Sequence, residues 1–203
     1  MGNSWPALNP FGRLAAPLSG SGSVSLPDWV GRWPAVAGLL LLVWLEVVTA
    51  VASNPTQLTV VVGVYLVAAV VGSALLGRET WRRQIDPISG VFDLYGRVAP
   101  VQRTENGLEL AAPGAALTEA DADATTRASE IGFVIALLWV TTFDGFVATP
   151  GWQSIAAPVV RAGVPAELTY FAAMLGGYAL FFGVYWGASK RVRTSGNTYL
   201  SAP

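Results

Sequence analysis

The chain has 203 residues, of which 53% are apolar and 12% are charged, whereas an ordinary soluble domain is about 25% charged. The net charge of −1 provides no basic surface for nucleic acid, so no nucleic-acid partner is expected. Cysteine and histidine are both absent, which excludes disulfides, thiol nucleophiles, imidazole bases and Cys/His zinc sites. The composition predicts a membrane protein that works without a metal or another cofactor.

Residues 1–28 are predicted to form a cytoplasmic interfacial segment and a linker. In the stretch NPFGRLAAP, Asn9 is a suitable helix cap and Pro10 suits the first helical position, where its missing N–H costs no hydrogen bond. Arg13 follows within one turn. This inner-surface motif predicts a short helix at the membrane boundary.

Four apolar segments predict an all-α, polytopic membrane bundle, because a helix needs roughly 20 apolar residues to cross a bilayer core. The tight SNPTQ loop joins the first two spans into a hairpin within residues 29–77. The other two form a hairpin within residues 131–189. Its loop predicts a surface helix whose apolar face comprises Trp152, Ile155, Ala156 and Val159. The predicted spans are Trp33 to Ala52, Leu58 to Gly77, Ile131 to Ala148 and Leu168 to Ala188.

Residues 78–130 are predicted to form a cytoplasmic region between the two hairpins. The Asn-Gly pair in RTENGLEL is typical of a β-hairpin turn. The stretch APGAALTEADADATTRASE that follows is small, polar and acidic, which predicts a flexible linker. Beyond the second hairpin, residues 190–203 are predicted to form a basic cytoplasmic tail.

An amphipathic helix on the inner membrane surface is predicted at the start of this region. In DPISGVFDLYGRVAP, Asp86 caps the helix and Pro87 occupies its first position. One side carries Ser89, Asp93 and Arg97. The other side is apolar and is expected to contact lipid; it comprises Ile88, Val91, Phe92, Tyr95 and Val98.

The element that contains Asp86, Pro87 and Arg97 repeats the N-terminal motif at residues 9–13. Each copy is followed by a helical hairpin that ends in a basic cluster. This order predicts a degenerate parallel repeat with a pseudo-two-fold axis along the membrane normal. The alternative is that Asn-Pro and Asp-Pro are simply common helix starts.

The basic residues predict the orientation of the chain. With four spans, eleven of the twelve Lys and Arg residues share one side, and only Arg161 lies opposite. Positive residues remain on the cytoplasmic side of short loops. Both termini are therefore expected in the cytoplasm, with the lipid bilayer of the plasma membrane as the first partner.

Two acids lie inside the predicted spans, Glu46 in LLVWLEVVTA and Asp144 in WVTTFDGF. Each lies fourteen residues into its helix, counted from Arg32 and from Glu130, which is about 21 Å. Thr49 and Thr141 lie three residues from Glu46 and Asp144, so each acid is expected to share a helical face with a hydroxyl. An ionisable residue in a membrane predicts a functional site. We expect the two carboxylates to face one central cavity.

An alternative interpretation gives the two acids structural roles. Asp144 would then be hydrated near the outer interface, beside the turn at Thr149. Glu46 would be a neutral acid that holds two helices together by hydrogen bonds. The distance between the carboxylates separates the interpretations, because a coupled pair lies within about 6 Å.

Four blocks of sequence carry a resemblance to a known family. They read NPFGRL, RWPAVAGLLLLVWLEVV, LLGRETWRRQIDPISGVFDLYGRVAP and TTFDGF, and they cover much of residues 9–146. Together they resemble bacterial and archaeal integral membrane proteins described as fenitrothion hydrolase-like. The resemblance implies hydrolysis of an organophosphate-like ester and supplies no catalytic residues. Family members are longer, so the chain resembles their C-terminal half.

Three functions remain open from the sequence, and whether the protein is an enzyme stays open with them. The preferred function is small-solute or proton and cation handling through Glu46 and Asp144. The second is a structural or assembly subunit, with other membrane subunits or a missing N-terminal half as partners. The third is the membrane-bound hydrolase that the resemblance implies. It is disfavoured because phosphotriester hydrolysis normally uses a metal-activated water held by histidine.

Overall fold

The computed structural model describes residues 24–49, 51–104, 107–110, 112 and 124–200. In these residues the fold is all-α apart from one β-hairpin, and four helices are long and apolar enough to cross a membrane. The predicted all-α class with four membrane-spanning helices is therefore confirmed. Asn9, Pro10 and Arg13 lie outside the described residues, so the predicted repeat stays a prediction. The chain forms two compact units that divide between Val134 and Ile135.

The first unit begins with a helical hairpin. A single 3₁₀ turn at Asp28–Val30 precedes α1, Trp33–Val48, and α2 covers Pro55–Leu76. The side chain of Asn54 caps α2 by accepting hydrogen bonds from two backbone N–H groups. The predicted first span, Trp33 to Ala52, is too long. Helix α1 ends at Val48 because Thr49 has an extended backbone, with φ −111° and ψ 165°.

After α2 the chain reverses and runs back along that helix. Gly77 has a φ of 85°, which favours glycine and lets the chain turn. A helical turn at Arg78–Thr80 and a π-helical turn at Trp81–Ile85 follow. A Cβ on Gly72 would lie 2.1 Å from the ring of Trp81, so this glycine allows the indole to pack against α2.

Helix α3, Pro87–Val98, then returns alongside α1. A Cβ on Gly38 would lie 3.2 Å from Pro87 Cγ, and Asp93 pairs with Arg32 at 2.7 Å. Gly38 lies about 8 Å inside the start of α1 at 1.5 Å per residue. The chain between Gly77 and Val98 is therefore a re-entrant segment with Asp86 at its apex. Such a segment is tolerated at membrane depth where protein surrounds it.

The polar side of α3 faces the interior of the unit. On this side Ser89 is fully buried and Asp93 contributes to the interior of the unit. On the predicted apolar side, Phe92 is 41% and Tyr95 is 57% exposed, whereas Ile88 is half-buried. The physical reason is that neighbouring helices supply the polar groups with partners, which leaves the apolar side for lipid.

A β-hairpin and the start of α4 complete the first unit. Strand β1, Val101–Thr104, pairs antiparallel with β2, Gly107–Leu110, and Thr104 faces Gly107. Helix α4 covers Ala124–Val147, so the final residues of the predicted flexible linker are helical. Phe133 of α4 lies against α3, since a Cβ on Gly90 would be 2.6 Å from its ring.

The second unit contains the rest of α4, helix α5 at Pro150–Arg161 and helix α6 at Ala166–Leu200. Trp139 of α4 is 8% exposed and donates a hydrogen bond of 2.8 Å to the carbonyl of Met174 in α6. The predicted helix is present as α5, and its position at the membrane surface stays a prediction. The side chains of its predicted apolar face differ in burial, since Trp152 is 4% exposed whereas Ile155 is 59% exposed.

Candidate functional site

Glu46 lies in the last turn of α1, at a cavity of about 290 Å³. Eight of the ten lining residues are apolar, and the other two are Glu46 and Tyr65 of α2. Ile88 of α3 contributes to the wall, so the re-entrant segment helps to form the cavity. In the described part of the chain the exposed Glu46 carboxylate has no hydrogen bond or ion pair. The cavity thus presents one carboxylate among apolar walls.

Tyr65 connects this cavity to a second carboxylate, which is buried. Its hydroxyl donates a hydrogen bond of 2.6 Å to Asp86 Oδ1. Asp86 is 2% exposed. It also accepts from the Ser89 hydroxyl at 2.5 Å and from the Ile88 N–H at 3.0 Å. The predicted helix cap at Asp86 is confirmed, and the same carboxylate holds two hydroxyl groups at the apex.

Asp86 contacts α2 within one of the four candidate spans. Tyr65 lies eleven residues before Leu76, the last residue of α2, or about 16 Å along the helix axis. Asp86 is within hydrogen-bond distance of that tyrosine. Burial of a carboxylate costs free energy unless donors surround it, and three donors do.

A charged cluster, formed by Arg32, Arg82, Asp93, Arg97 and Glu130, lies at the start of α1. Arg32 Nη2 is 2.7 Å and Arg97 Nη2 is 3.2 Å from Asp93 Oδ2. Arg82 Nη1 lies 3.6 Å from the other oxygen of Asp93. Arg97 also lies 3.5 Å from Glu130 at the start of α4. The cluster therefore joins α1, the re-entrant segment and α4.

Neighbouring arginines lower the pKa values of two acids, Asp93 of this cluster and Glu79 outside it. Burial disfavours the charged form of Asp93, but the hydrogen bond and charge of Arg32, together with Arg97 and Arg82, outweigh it. The pKa of Asp93 is therefore below its ordinary value of 3.8. A hydrogen bond from Arg82 is the largest cause that lowers the pKa of Glu79. The same bond raises the pKa of Arg82.

Acid should weaken the fold through Asp93. Because the folded pKa lies below the ordinary value of 3.8, the stabilisation is present above that pH and is lost as the pH falls through the folded pKa. Asp93→Asn should therefore show a flatter loss of unfolding free energy than the wild type between about pH 5 and pH 2. Denaturation in detergent micelles at a series of pH values measures this difference.

The exposed Asp28 provides the control for this measurement. Asp28→Asn should retain the acid dependence of the wild type, because no Arg of the cluster pairs with it. If the unfolding free energy falls equally with decreasing pH in the wild type and in Asp93→Asn, the prediction is contradicted.

The two acids predicted from the sequence belong to different compact units. Asp144 is exposed on the part of α4 that belongs to the second unit. Glu46 belongs to the first unit, and residues of that unit line its cavity. The predicted meeting of Glu46 and Asp144 in one central cavity stays a prediction.

The two predicted supporting hydroxyls bond to the backbone. Thr49 follows the end of α1, so it does not share a helical face with Glu46, and that prediction is wrong. Its hydroxyl donates to the Leu45 carbonyl at 2.5 Å. Thr141 donates to the carbonyls of Leu137 and Leu138 at 3.1 and 2.9 Å. Its support of Asp144 stays a prediction.

Sequence reasoning missed Tyr65 and the pairing of Arg32 with Asp93. A signal for Tyr65 was present, because a tyrosine in the middle of a valine-rich span needs a partner for its hydroxyl. The four-residue spacing of Asp93 and Arg97 indicated a helical ion pair. Nothing in the local pattern indicated that Arg32, from a distant segment, would join them.

Comparison of the chain with protein-family models, curated proteins and solved structures finds no match. The resemblance to fenitrothion hydrolase-like proteins therefore stays a prediction. Within the described ranges, no group of three or more Asp or Glu residues could hold a metal ion. The function must therefore be inferred from the geometry of the site and from the four candidate membrane spans.

Proposed function

We propose that the protein handles protons or a small solute through intramembrane carboxylates, with Glu46 and Asp86 as the two working groups. The observation that carries the proposal concerns Tyr65. This residue lines the cavity of Glu46 and donates a hydrogen bond of 2.6 Å to Asp86. A phenol hydroxyl both donates and accepts hydrogen bonds, so it can pass a proton between two groups.

The proposed path continues along the polar side of α3. Glu46 is exposed in the last turn of α1 and accepts a proton from water. Tyr65 relays the proton to Asp86, which is bonded to Ser89 one turn further along. Asp93 of the charged cluster follows one turn beyond. Chains of carboxylates and hydroxyls of this kind are typical of proton relays in membranes.

The proposed location is the plasma membrane, with both termini in the cytoplasm. It is supported by four helices able to span a bilayer and by the eleven of twelve Lys and Arg residues that share one side. In this orientation the charged cluster faces the cytoplasm and Glu46 lies toward the opposite side. Protons would then enter at Glu46 and leave beside Asp93.

Proton uptake into reconstituted vesicles tests the proposal. A potassium gradient with valinomycin supplies the driving force, and a pH-sensitive dye inside the vesicles reports uptake. Glu46→Gln and Asp86→Asn should each slow uptake at least about tenfold, because an amide cannot carry the proton. Glu109→Gln, on the exposed end of β2, should match the wild type. Wild-type vesicles that take up no more protons than empty ones would overturn the proposal.

Asp144→Asn distinguishes this pairing from the one predicted by the sequence. If Asp86 is the partner of Glu46, Asp144→Asn should take up protons at the wild-type rate. If Asp144→Asn is as slow as Glu46→Gln while Asp86→Asn is normal, the sequence-predicted pairing is correct instead. The three variants thus identify the second carboxylate directly.

A structural or assembly role is the second candidate, favoured by the exposed side of α6. A Cβ on Gly183 or Gly187 would meet no described atom within 4 Å. Glycines four residues apart let membrane helices approach closely. This role predicts co-purification with a membrane partner and normal assembly of Glu46→Gln.

The hydrolase implied by the resemblance would instead need turnover that depends on a divalent metal.

A further inference from the structure

The cavity at Glu46 has walls suited to an apolar molecule. Its volume of about 290 Å³ is close to the lower end of small-molecule sites, about 300 Å³. Water occupies apolar cavities poorly, because it finds too few hydrogen-bond partners there. A compact hydrocarbon group fits these walls better than a polar one. The main wall residues are Leu42, Leu45, Leu58, Val61, Val62 and Ile88.

The charge at the cavity favours a cation. Glu46 is the charged residue among the ten that line it, and its carboxylate has no partner among the described residues. Tyr65 is the other titratable lining residue, and its hydroxyl is bonded to Asp86. A neutral or anionic molecule would leave the carboxylate uncompensated beside apolar walls. A positive group beside Glu46 and the tyrosine ring is favourable.

A hard metal ion fits these ligands poorly. Calcium takes six to eight oxygen ligands, and magnesium requires near-ideal octahedral geometry. The lining offers the carboxylate of Glu46 and the phenol of Tyr65 within a wall of Leu, Val, Ala and Ile. The complementary cation is therefore organic, with its charge at one end of an apolar body.

We infer that the cavity binds a small lipophilic organic cation, with the Glu46 carboxylate as its counter-charge. The inference rests on the proposed function, since it names the solute that would exchange with protons. A proton on Glu46 neutralises the carboxylate, so proton and cation compete for one group. When a cation displaces the proton, one positive charge enters the site and one leaves it. Affinity for the cation should therefore fall as the pH is lowered.

Binding of benzyltrimethylammonium to the purified full chain in detergent tests this inference. The probe has a fixed charge, so the pH acts on the protein alone. Titration calorimetry should show at least about tenfold weaker binding to Glu46→Gln, because the counter-charge is removed. Val61→Phe retains the carboxylate and fills the cavity, and it should weaken binding similarly. Asp28→Asn, whose carboxylate is exposed and does not line the cavity, should bind as the wild type does, and circular dichroism verifies that each variant is folded.

Two control ligands complete the design. Neopentylbenzene has the shape of the probe without its charge, and benzenesulfonate has the opposite charge. Neither control should bind the wild type more tightly than Glu46→Gln, because neither compensates the carboxylate. Partition of the probe into micelles should be the same for both proteins. If benzyltrimethylammonium binds equally to wild type and Glu46→Gln, the inference is overturned. Because this measurement needs no transport, its failure leaves the vesicle result on proton uptake intact, and the reverse also holds.

Discussion

The Asp86→Ala variant should lose roughly 3 kcal/mol or more of unfolding free energy, because a helix cap and buried hydrogen bonds are removed together. Asp86 is 2% exposed and accepts from Tyr65, Ser89 and the Ile88 N–H. Alanine leaves all three donors without this acceptor inside the unit. Loss of the N-cap alone typically costs about 1 kcal/mol, and each buried donor left without an acceptor costs about 1–3 kcal/mol.

Equilibrium unfolding in mixed micelles measures this loss. Asp28→Ala is the matched control, since its carboxylate is exposed, and we expect a change of about 0.5 kcal/mol or less. Asp86→Asn should be much closer to the wild type than Asp86→Ala, because the amide oxygen can still cap α3. An Asp86→Ala variant as stable as Asp28→Ala would mean that the apex hydrogen bonds do not hold the re-entrant segment in place.

The Gly177→Ala variant should be destabilised by about 2 kcal/mol or more, since overpacking forces side chains or backbone to move. The new Cβ would lie 2.0 Å from Trp139 Cζ2. Trp139 has little freedom to move, because it is 8% exposed and donates to the Met174 carbonyl. Its ring also lies 5.1 Å from the ring of Phe181. Alanine must therefore displace α4 from α6 or break the hydrogen bond.

Gly176→Ala is an unusually close control for this variant. It lies on the same helix, and its Cβ would meet no described atom within 4 Å. Both substitutions gain the same helix propensity, about 1 kcal/mol, so their difference isolates the contact with Trp139. Thermal unfolding should rank Gly176→Ala at or above the wild type and Gly177→Ala well below it. Equal stabilities would contradict the packing of Trp139 against α6.

Local signals in the sequence predicted much of the fold. Hydrophobic length identified the four spans, because any helix that crosses a bilayer must satisfy its backbone internally and cover itself with apolar side chains. The Asp-Pro pair predicted the cap of α3, since capping depends on adjacent residues. Helix ends were less accurate, as the end of α1 at Val48 shows, because hydropathy does not record where the backbone leaves the helix.

The candidate site was only partly predictable. Glu46 was recognised because an acid inside an apolar run is conspicuous by itself. Asp86 was assigned only as a cap, because its burial depends on contacts made far along the chain. Its bond to Tyr65 joins residues 21 positions apart, and the bond between Arg32 and Asp93 joins residues 61 positions apart. Neither spacing corresponds to one face of a helix.

Composition and local periodicity are sufficient to predict an all-α protein with four membrane-spanning helices and acids within its spans. The side of α3 that faces inward depends instead on contacts with other helices. A helix with one polar and one apolar side fits a membrane surface, or it fits a protein interior with its apolar side toward lipid. The partners provided by α1, α2 and α4 select the second arrangement. They bring Asp86 within reach of Tyr65, because a buried carboxylate is stable only where donors from several helices converge on it.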